Sequence, residues 1–269
     1  MFKDLNYYEY VVANKLDELL NIDLNEYGNI TKKIIPDDPN YSVSNDLTEP
    51  FCVELDDLTR LHYLLRKNKV ITAIEIGSGK STAVIADAIR KNKDDYAEQV
   101  KGRLRKNNAF ELHTVETSKA WGDIVIKNLP ESLNKIVKMH YVKCEMTMFN
   151  DRVCTVFNQF PNICPDFIYL DGPDQFSPVN DICGISTSHP DRMPMACDIL
   201  RIEHFLLPGT MIVLDGRTAN ARFLQRNFQL DWDYTHYSEY DIHIFINKMD
   251  PLGPYNAREL DFKEANSFL

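Results

Sequence analysis

Five acidic residues close or follow apolar segments of the chain, and they are the residues best suited to chemistry. Glu75, Glu116, Asp171 and Asp215 stand at the ends of four segments, and Glu145 follows a fifth. Carboxylates accept hydrogen bonds from hydroxyl groups, take up protons as general bases and bind divalent cations. In an open α/β sheet, ligands bind beyond the carboxyl ends of the strands. We therefore expect these acids to surround one ligand site.

The element that must position them is the stretch from residue 70 to 90. Residues 70–76 are apolar and β-branched, which is typical of a buried parallel strand. Gly77-Ser78-Gly79 follows as a turn, and from Ser81 onward the apolar residues recur at helical spacing. Because a helix start offers free N–H groups and a positive dipole end, this arrangement predicts a nucleotide site. Gly79 is expected to be required by its backbone angle or by the nearness of the ligand.

Three known loops compete for this stretch. The phosphate-binding P-loop requires a glycine where the chain has Ile74, so that motif fails despite the following Gly-Lys-Ser-Thr. The dinucleotide loop requires a third glycine where the chain has Thr82. The stretch most resembles the first motif of class I S-adenosylmethionine (SAM)-dependent methyltransferases. That family has an acid two residues before the first glycine, here Glu75, and usually a glycine at the position of Ser81.

The resemblance covers residues 53–247 and implies how the chain would hold SAM. Glu116, at the end of the second strand, is implied to accept both ribose hydroxyls, and the charged residues 91–108 lengthen its spacing from Glu75. Glu145 is implied to face the adenine, although Cys144 replaces a frequent glycine. The implied cofactor-binding residues are Glu75, Gly77, Ser78, Gly79, Ser81, Thr82, Glu116, Thr117, Glu145 and Asp171.

On the acceptor side, the chain is similar to small-molecule O-methyltransferases of the catechol type. Asp171 and Asp215 end adjacent predicted strands, so they should flank one pocket and are the candidate catalytic residues. In the catechol type these acids bind magnesium together with an adjacent asparagine, and here that position is Gly216. The change favours a metal-free site with an aspartate as general base. Magnesium is the alternative, with Asn220 or Asp174 as the replacement ligand.

Two further residues are candidate substrate ligands. Arg217 stands at a helix start, where its guanidinium could hold a phosphate or carboxylate of the acceptor, and the alternative is an ion pair with Asp215. His189, in an irregular proline-rich segment, is a candidate base because its ordinary pKa is near neutral. The alternative for His189 is a surface position without a role.

Strand and helix patterns alternate five times and end in a hairpin formed by residues 232–238 and 241–247. This predicts a mostly parallel, doubly wound α/β sheet of the Rossmann-like methyltransferase type that ends in an antiparallel hairpin. An N-terminal helical cap over residues 1–52 precedes the α/β domain of residues 53–269. Residues 150–160 are predicted to be helical, and the tail after Pro251 is predicted to be a loosely docked surface segment.

The composition excludes several classes of protein. A net charge of −10 argues against a nucleic-acid partner, which needs a clustered basic surface. The six cysteines are scattered, which argues against a zinc site among them and predicts reduced, mostly buried thiols in a cytoplasmic protein. Neither an apolar run near ~20 residues nor a signal peptide is present, so no membrane partner is expected. The sequence is compatible with a homo-oligomer and does not determine the oligomeric state.

The predicted function is therefore methyl transfer from SAM to a hydroxyl of a small molecule, such as a sugar or a phosphorylated metabolite. Two alternatives remain. One is a dinucleotide-dependent oxidoreductase, and the other is a non-catalytic relative that binds a nucleotide, since a fold does not determine a function.

Overall fold

The computed structural model describes residues 1–24 and 54–265 of the 269-residue chain. Its first half contains the elements α1 (Tyr7–Asn14), α2 (Leu16–Leu20), α3 (Leu55–Lys67), β1 (Thr72–Ile76), α4 (Lys80–Arg103), β2 (Glu111–Glu116), α5 (Lys119–Asn128) and β3 (Val137–Tyr141). Its second half contains β4 (Cys144–Phe149), β5 (Arg152–Phe157), β6 (Phe167–Leu170), α6 (Asp198–Ile202), β7 (Met211–Asp215), α7 (Thr218–Asn227), β8 (Trp232–Tyr237), β9 (Ile242–Asn247) and α8 (Pro254–Glu264).

Seven strands form one sheet in the order β3-β2-β1-β6-β7-β9-β8. Neighbouring strands from β3 to β7 are parallel, and β9 lies between β7 and β8, antiparallel to both. This arrangement, with the last strand inserted antiparallel, confirms the predicted fold class: it is the Rossmann-like methyltransferase fold.

The inserted position of β9 follows from its sequence. Its residues Ile242–Phe245 are all buried, as in a strand covered on both faces. The partner β8 alternates partly buried and exposed residues and carries Asp233 and Thr235 on its exposed face. Polar and charged residues suit an edge strand, because they discourage pairing with another chain. The more apolar strand, β9, therefore lies inside the sheet, although it is the last strand in the chain.

Helices cover both faces of the sheet. One core cluster includes side chains of α3, α4 and β1, and a second includes β6, α6 and α7. The N-terminal helices pack against α3 and α4, where the Tyr10 hydroxyl lies 2.9 Å from His62 Nδ1 and Lys91 Nζ donates to Asn14 O at 2.6 Å. The predicted division at residue 52 lies outside the described residues and stays a prediction. No helix in the described residues is both long and apolar enough to cross a bilayer.

The predicted helix over residues 150–160 is wrong, because β4 and β5 form an antiparallel hairpin there. Asn150 and Asp151 connect the strands with φ angles of 47° and 60°, the left-handed pair that a tight two-residue hairpin turn requires. Val153, Val156 and Phe157 fit helical spacing, which produced the error. The antiparallel register from Cys144 opposite Phe157 to Phe149 opposite Arg152 shows the strand pair instead.

The tail is also different from expectation, because it forms α8 and packs tightly. Phe262 is 7% exposed in the core, and Lys69 Nζ donates to its carbonyl at 2.8 Å. Two ion pairs anchor the helix further: Lys106 to Glu259 at 2.7 Å and Lys263 to Asp166 at 3.1 Å.

Cysteine burial is only partly as expected. Cys144, Cys154 and Cys197 are buried free thiols, whereas Cys164 and Cys183 are exposed. Cys52 lies outside the described residues.

The packing of α8 predicts a large effect of shortening Phe262. Phe262→Ala should lower the free energy of unfolding by about 3–5 kcal/mol, the usual cost of an emptied aromatic site. Chemical denaturation followed by circular dichroism measures it. Tyr255→Ala on the same helix, where Tyr255 is 56% exposed, is the matched control and should cost less than about 1 kcal/mol. Equal, small losses for both variants would show that the tail is loosely docked.

Candidate active site

The loops after β1 and β6 meet where the strand order of the sheet reverses. Gly77 has a φ of 91°, and a Cβ added to it would lie 3.0 Å from the Asp171 carbonyl carbon and oxygen. A Cβ added to Gly172 would lie 2.7 Å from the Gly77 Cα and nitrogen. Neither residue can carry a side chain without moving backbone, so the two loops are fixed against each other. This is the position at which doubly wound sheets bind ligands.

Gly79 differs from the expectation based on its backbone angle. Its φ of 178° is extended and open to any residue, so the special backbone angle belongs to Gly77. A Cβ on Gly79 would meet nothing closer than the Ser81 hydroxyl at 4.0 Å. The start of α4 therefore faces open space, and a side chain there would extend into it.

Glu75 lies under this turn and is wholly buried. Its carboxyl group accepts hydrogen bonds from the hydroxyls of Ser81 at 2.6 Å, Thr82 at 2.7 Å and Thr114 at 2.9 Å. Thr82 Oγ1 in turn accepts from the Gly79 N–H at 3.0 Å. Burial raises the pKa of Glu75 to about 8, and the three hydroxyl donors oppose that rise. In the structure these predicted cofactor ligands bind one another and support the glycine turn from below.

Glu116 is 7% exposed at the end of β2 and lies beside the same turn. One carboxylate oxygen accepts from Ser78 N at 3.1 Å and Ser78 Oγ at 2.6 Å. The other accepts from Ser118 N at 2.8 Å and Thr117 Oγ1 at 3.2 Å. Two backbone N–H groups and two hydroxyls thus fill roughly the four acceptor positions of a carboxylate.

Trp121 is a site residue that the sequence did not reveal. Its indole N–H donates to the Ser78 carbonyl at 2.8 Å and so fixes the glycine turn from the α5 side. Ser118 caps α5 by accepting from Trp121 N at 3.2 Å. A side chain that reaches a turn distant in the chain leaves no local sequence pattern. Ser177 was also missed, and its hydroxyl lies 3.1 Å from Thr117 Oγ1.

Asp171 and Asp215 follow β6 and end β7, respectively, in adjacent parallel strands. Leu170 pairs with Leu214, so the two aspartates occupy the next register position side by side. Desolvation by the surrounding loops raises the pKa of Asp171 above its ordinary value, and the Arg217 guanidinium opposes the rise. About half of the Asp171 side chain, 49%, remains open to solvent. Solvent and solutes can therefore still reach this carboxylate.

Arg217 follows the end of β7 and reaches across to Asp171 in the loop after β6. Its Nε donates to Asp171 Oδ1 at 3.2 Å, and its terminal nitrogens donate to the carbonyls of Pro173, at 3.0 Å, and Asp171. The guanidinium thus holds the loop after β6 beside the loop after β7. A contact from Arg217 to an acceptor remains a prediction.

Two further predicted site residues, Glu145 and His189, belong to other elements of the fold. Glu145 is a partly buried residue of β4, within the separate hairpin, next to Val179. His189 is 48% exposed in the segment between β6 and α6, and its Nδ1 accepts from Asp191 N at 3.1 Å. Their roles at the site remain predictions.

The two replacement ligands for magnesium, Asn220 and Asp174, both form hydrogen bonds within the chain. Asn220 is buried, and its amide bonds the backbone of Ala196 at 3.0 Å and 3.3 Å. Asp174 accepts from Phe176 N at 2.7 Å and from the Ser177 hydroxyl. Both side chains serve to hold the segment between β6 and α7.

No protein-family model matches the chain, and no curated protein matches its sequence. Three solved structures similar to it are methyltransferases. The O-methyltransferase TomG of Streptomyces achromogenes, in complex with SAM, is 14% identical, with a TM-score of 0.41, over 76% of this chain and 84% of its own. An O-methyltransferase of Bacillus cereus, in complex with SAH, is 15% identical, with a TM-score of 0.40, over 91% and 92%. The SAH-bound methyltransferase PaMTH1 of Podospora anserina is 13% identical, with a TM-score of 0.43, over 74% and 80%. Likenesses at this level assign neither an activity nor a substrate.

The buried carboxyl of Glu75 predicts a pH-dependent stability. Its folded pKa of about 8 lies above the ordinary 4.5, so the folded chain keeps a proton that the unfolded chain loses between those values. Stability should therefore fall as pH rises from about 4.5 to 8, by about 1.4 kcal/mol for each unit of pKa difference as an upper limit. Glu75→Gln cannot ionise and should flatten this decline.

Denaturant unfolding of both proteins at several pH values measures the effect. Asp198, whose pKa burial raises to about 7, is present in both, so the difference between the two curves reports Glu75. Parallel curves would show that Glu75 ionises normally in the folded protein.

Proposed function

We propose that the chain is a SAM-dependent methyltransferase that acts on a hydroxyl of a small molecule. The observation that carries the proposal is the hydrogen bonding of Glu116. Two of its four donors are side-chain hydroxyls, those of Ser78 and Thr117, which can rotate away. Two ribose hydroxyls could replace them, while Ser78 N and Ser118 N continue to hold the carboxylate in place.

The rest of the edge fits the remainder of the cofactor. The open space before α4 offers N–H groups and a positive dipole end for a carboxylate, and the absence of a Gly79 side chain leaves room for it. Gly77 and Gly172 keep the crossing loops close together. When bound, SAM would supply a sulfonium-activated methyl group. The cytoplasmic location predicted from the sequence remains a prediction.

Asp171 and Asp215 are the proposed catalytic pair. A carboxylate near an ordinary pKa of about 4 is a weak base toward a hydroxyl, and the raised pKa of Asp171 makes it a stronger one. Arg217 fixes the orientation of Asp171, so the carboxylate can hold the acceptor hydroxyl in line with the methyl group. The metal-free version is preferred, because the candidate third ligands bond the chain itself.

A cavity on the same side of the chain as α7 is the proposed acceptor pocket, although neither aspartate is among its lining residues. It has a volume of about 340 Å³ and lies between the β4–β5 hairpin, the segment before α6 and the first turn of α7. Its lining includes Met146, Met193, Met195, Cys154 and Ala219. Thioether side chains adapt to apolar ligands of varied shape. Asp191 and Arg192 also line the cavity, so it offers both apolar and charged contacts to an acceptor.

Dinucleotide binding is the second candidate, since dinucleotide folds also place a ribose-binding acid at the end of the second strand. The antiparallel insertion of β9 and the absence of a glycine at Thr82 favour SAM. SAH should raise the melting temperature of the protein, and NAD should leave it unchanged. Stabilisation by NAD alone would support the oxidoreductase.

The proposed ribose contact predicts a loss of affinity on neutralising Glu116. Glu116→Gln should weaken SAH binding by about 1–3 kcal/mol, the scale of hydrogen bonds to a charged group. Isothermal titration calorimetry measures it, with circular dichroism to confirm folding. Glu111→Gln, at the opposite end of the same strand, is the matched control and should bind SAH normally. Equal affinity of both variants would exclude Glu116 as the ribose ligand.

The proposed chemistry predicts that each aspartate matters for turnover and not for cofactor affinity. Asp171→Asn and Asp215→Asn should each lower the turnover rate, measured as SAH formed, roughly 10²–10⁴-fold, the range for a general base. The asparagine at 171 retains an oxygen that can accept from Arg217. The assay supplies SAM and a panel of catechols, sugars and phosphorylated metabolites.

Two results would change this assignment. Loss of activity in a chelator and its return with magnesium would make the aspartates metal ligands. Unchanged turnover per folded molecule, with a lower melting temperature, would make them structural only.

A further inference from the structure

Three potential metal ligands meet at the β8–β9 hairpin. One ligand atom from each of His236, Asp241 and His243 lies within 4.8 Å of the others. His236 and His243 are directly opposite each other in the antiparallel pair, and Asp241 lies in the connection between the strands. The cluster runs from the surface inward, because His236 is exposed, Asp241 is partly buried and His243 is buried.

The surroundings orient the inner histidine. Tyr234 OH lies 2.9 Å from His243 Nδ1, and Thr218 Oγ1 lies 3.0 Å from His243 Nε2. A histidine that binds a metal through one ring nitrogen usually bonds a neighbour through the other, which fixes the tautomer. If Nδ1 donates to the tyrosine oxygen, the Nε2 lone pair is available, and the threonine hydroxyl can rotate away from it.

The backbone of Asp241 is held in place. Asp241 has a φ of 50°, and its carbonyl accepts from Gly216 N at 2.9 Å. His236 Nε2 lies 3.9 Å from Asp241 Oδ1. Asp241 is therefore held between the hairpin and the turn that follows β7.

We infer that His236, Asp241 and His243 form a binding site for a divalent transition-metal ion, with Zn²⁺ as the proposed occupant. Two imidazoles and one carboxylate are a donor set that zinc uses with an open fourth position for water or substrate. Imidazole ligands suit Zn²⁺ far better than Mg²⁺. The exposed side of His236 leaves the open position toward solvent.

Binding requires one ring to move. The two imidazoles are stacked, with centroids 4.0 Å apart and planes 15° from parallel. Ligand atoms of a tetrahedral zinc lie roughly 3.3 Å apart, given Zn–N distances of about 2.0–2.1 Å, and both ring planes must pass through the ion. His243 is held on both nitrogens, so the exposed His236 is the ring that turns.

The test is calorimetric titration of the purified, chelator-treated full chain with Zn²⁺, and separately with Mg²⁺. We expect saturable 1:1 binding of Zn²⁺ and none of Mg²⁺. His236→Ala and Asp241→Asn should each lower the Zn²⁺ affinity at least tenfold. Asparagine tolerates the left-handed conformation at position 241, and His236 is exposed, so both variants should fold.

Two further variants separate a built site from scattered surface binding. Tyr234→Phe, which removes the partner of His243 Nδ1, should lower the Zn²⁺ affinity about tenfold, as loss of such a partner commonly does. His204→Ala, which removes an exposed histidine elsewhere, should leave it unchanged. Co²⁺ added in place of Zn²⁺ should give visible absorption bands in the wild type that His236→Ala abolishes. No saturable Zn²⁺ binding, or equal binding by His236→Ala and the wild type, would overturn the inference.

Discussion

The contact between the backbones of Gly77 and Gly172 is the constraint on which the site depends. With a Cβ on either residue, atoms of the facing loop would be 2.7–3.0 Å away, so the two loops can cross only as glycines. Their crossing places the start of α4 and the Asp171 carboxylate on the same edge of the sheet. Gly77 N also donates to Val115 O at 2.9 Å, and Asp171 N donates to Ile76 O at the same distance. The ends of β1, β2 and β6 are therefore joined through a single turn.

Each side of this crossing has its own support. Below the turn, Glu75 binds three hydroxyls, and beside it Glu116 and Trp121 hold Ser78 by its amide, hydroxyl and carbonyl. On the far side, Arg217 holds the loop after β6. A binding edge supported in this way needs little rearrangement when a ligand arrives, which lowers the entropy cost of binding. At Glu116, the hydroxyls of Ser78 and Thr117 would have to rotate away.

The sequence was sufficient for the mostly parallel sheet with its final antiparallel hairpin and for the acids at several strand ends, because burial on both faces produces the continuous apolar runs from which the strands were predicted. It was insufficient at the β4–β5 hairpin, where Val153, Val156 and Phe157 fit helical spacing and the Asn150-Asp151 turn carried the deciding signal. It also failed for the tail, since the partners of α8, such as Lys69 and Asp166, are distant in the chain. The contacts of Trp121 and Arg217 could not be predicted for the same reason. Their long side chains bind residues that are distant in the chain and lie nearby only in the folded sheet.

The insertion of β9 connects the proposed active edge to the histidine cluster. Because β9 runs antiparallel to β7, its first residues lie beside the end of β7, where Ile242 pairs with Asp215 and His243 with Leu214. The hairpin connection is thus brought to the edge that carries the aspartates, and Asp241 accepts from Gly216 there. A parallel final strand would have placed its first residues at the opposite edge of the sheet. An ion bound by the hairpin would hold Asp241, whose carbonyl accepts from Gly216 N in the turn between Asp215 and Arg217. The same inversion of one strand accounts both for the fold and for the nearness of the two sites.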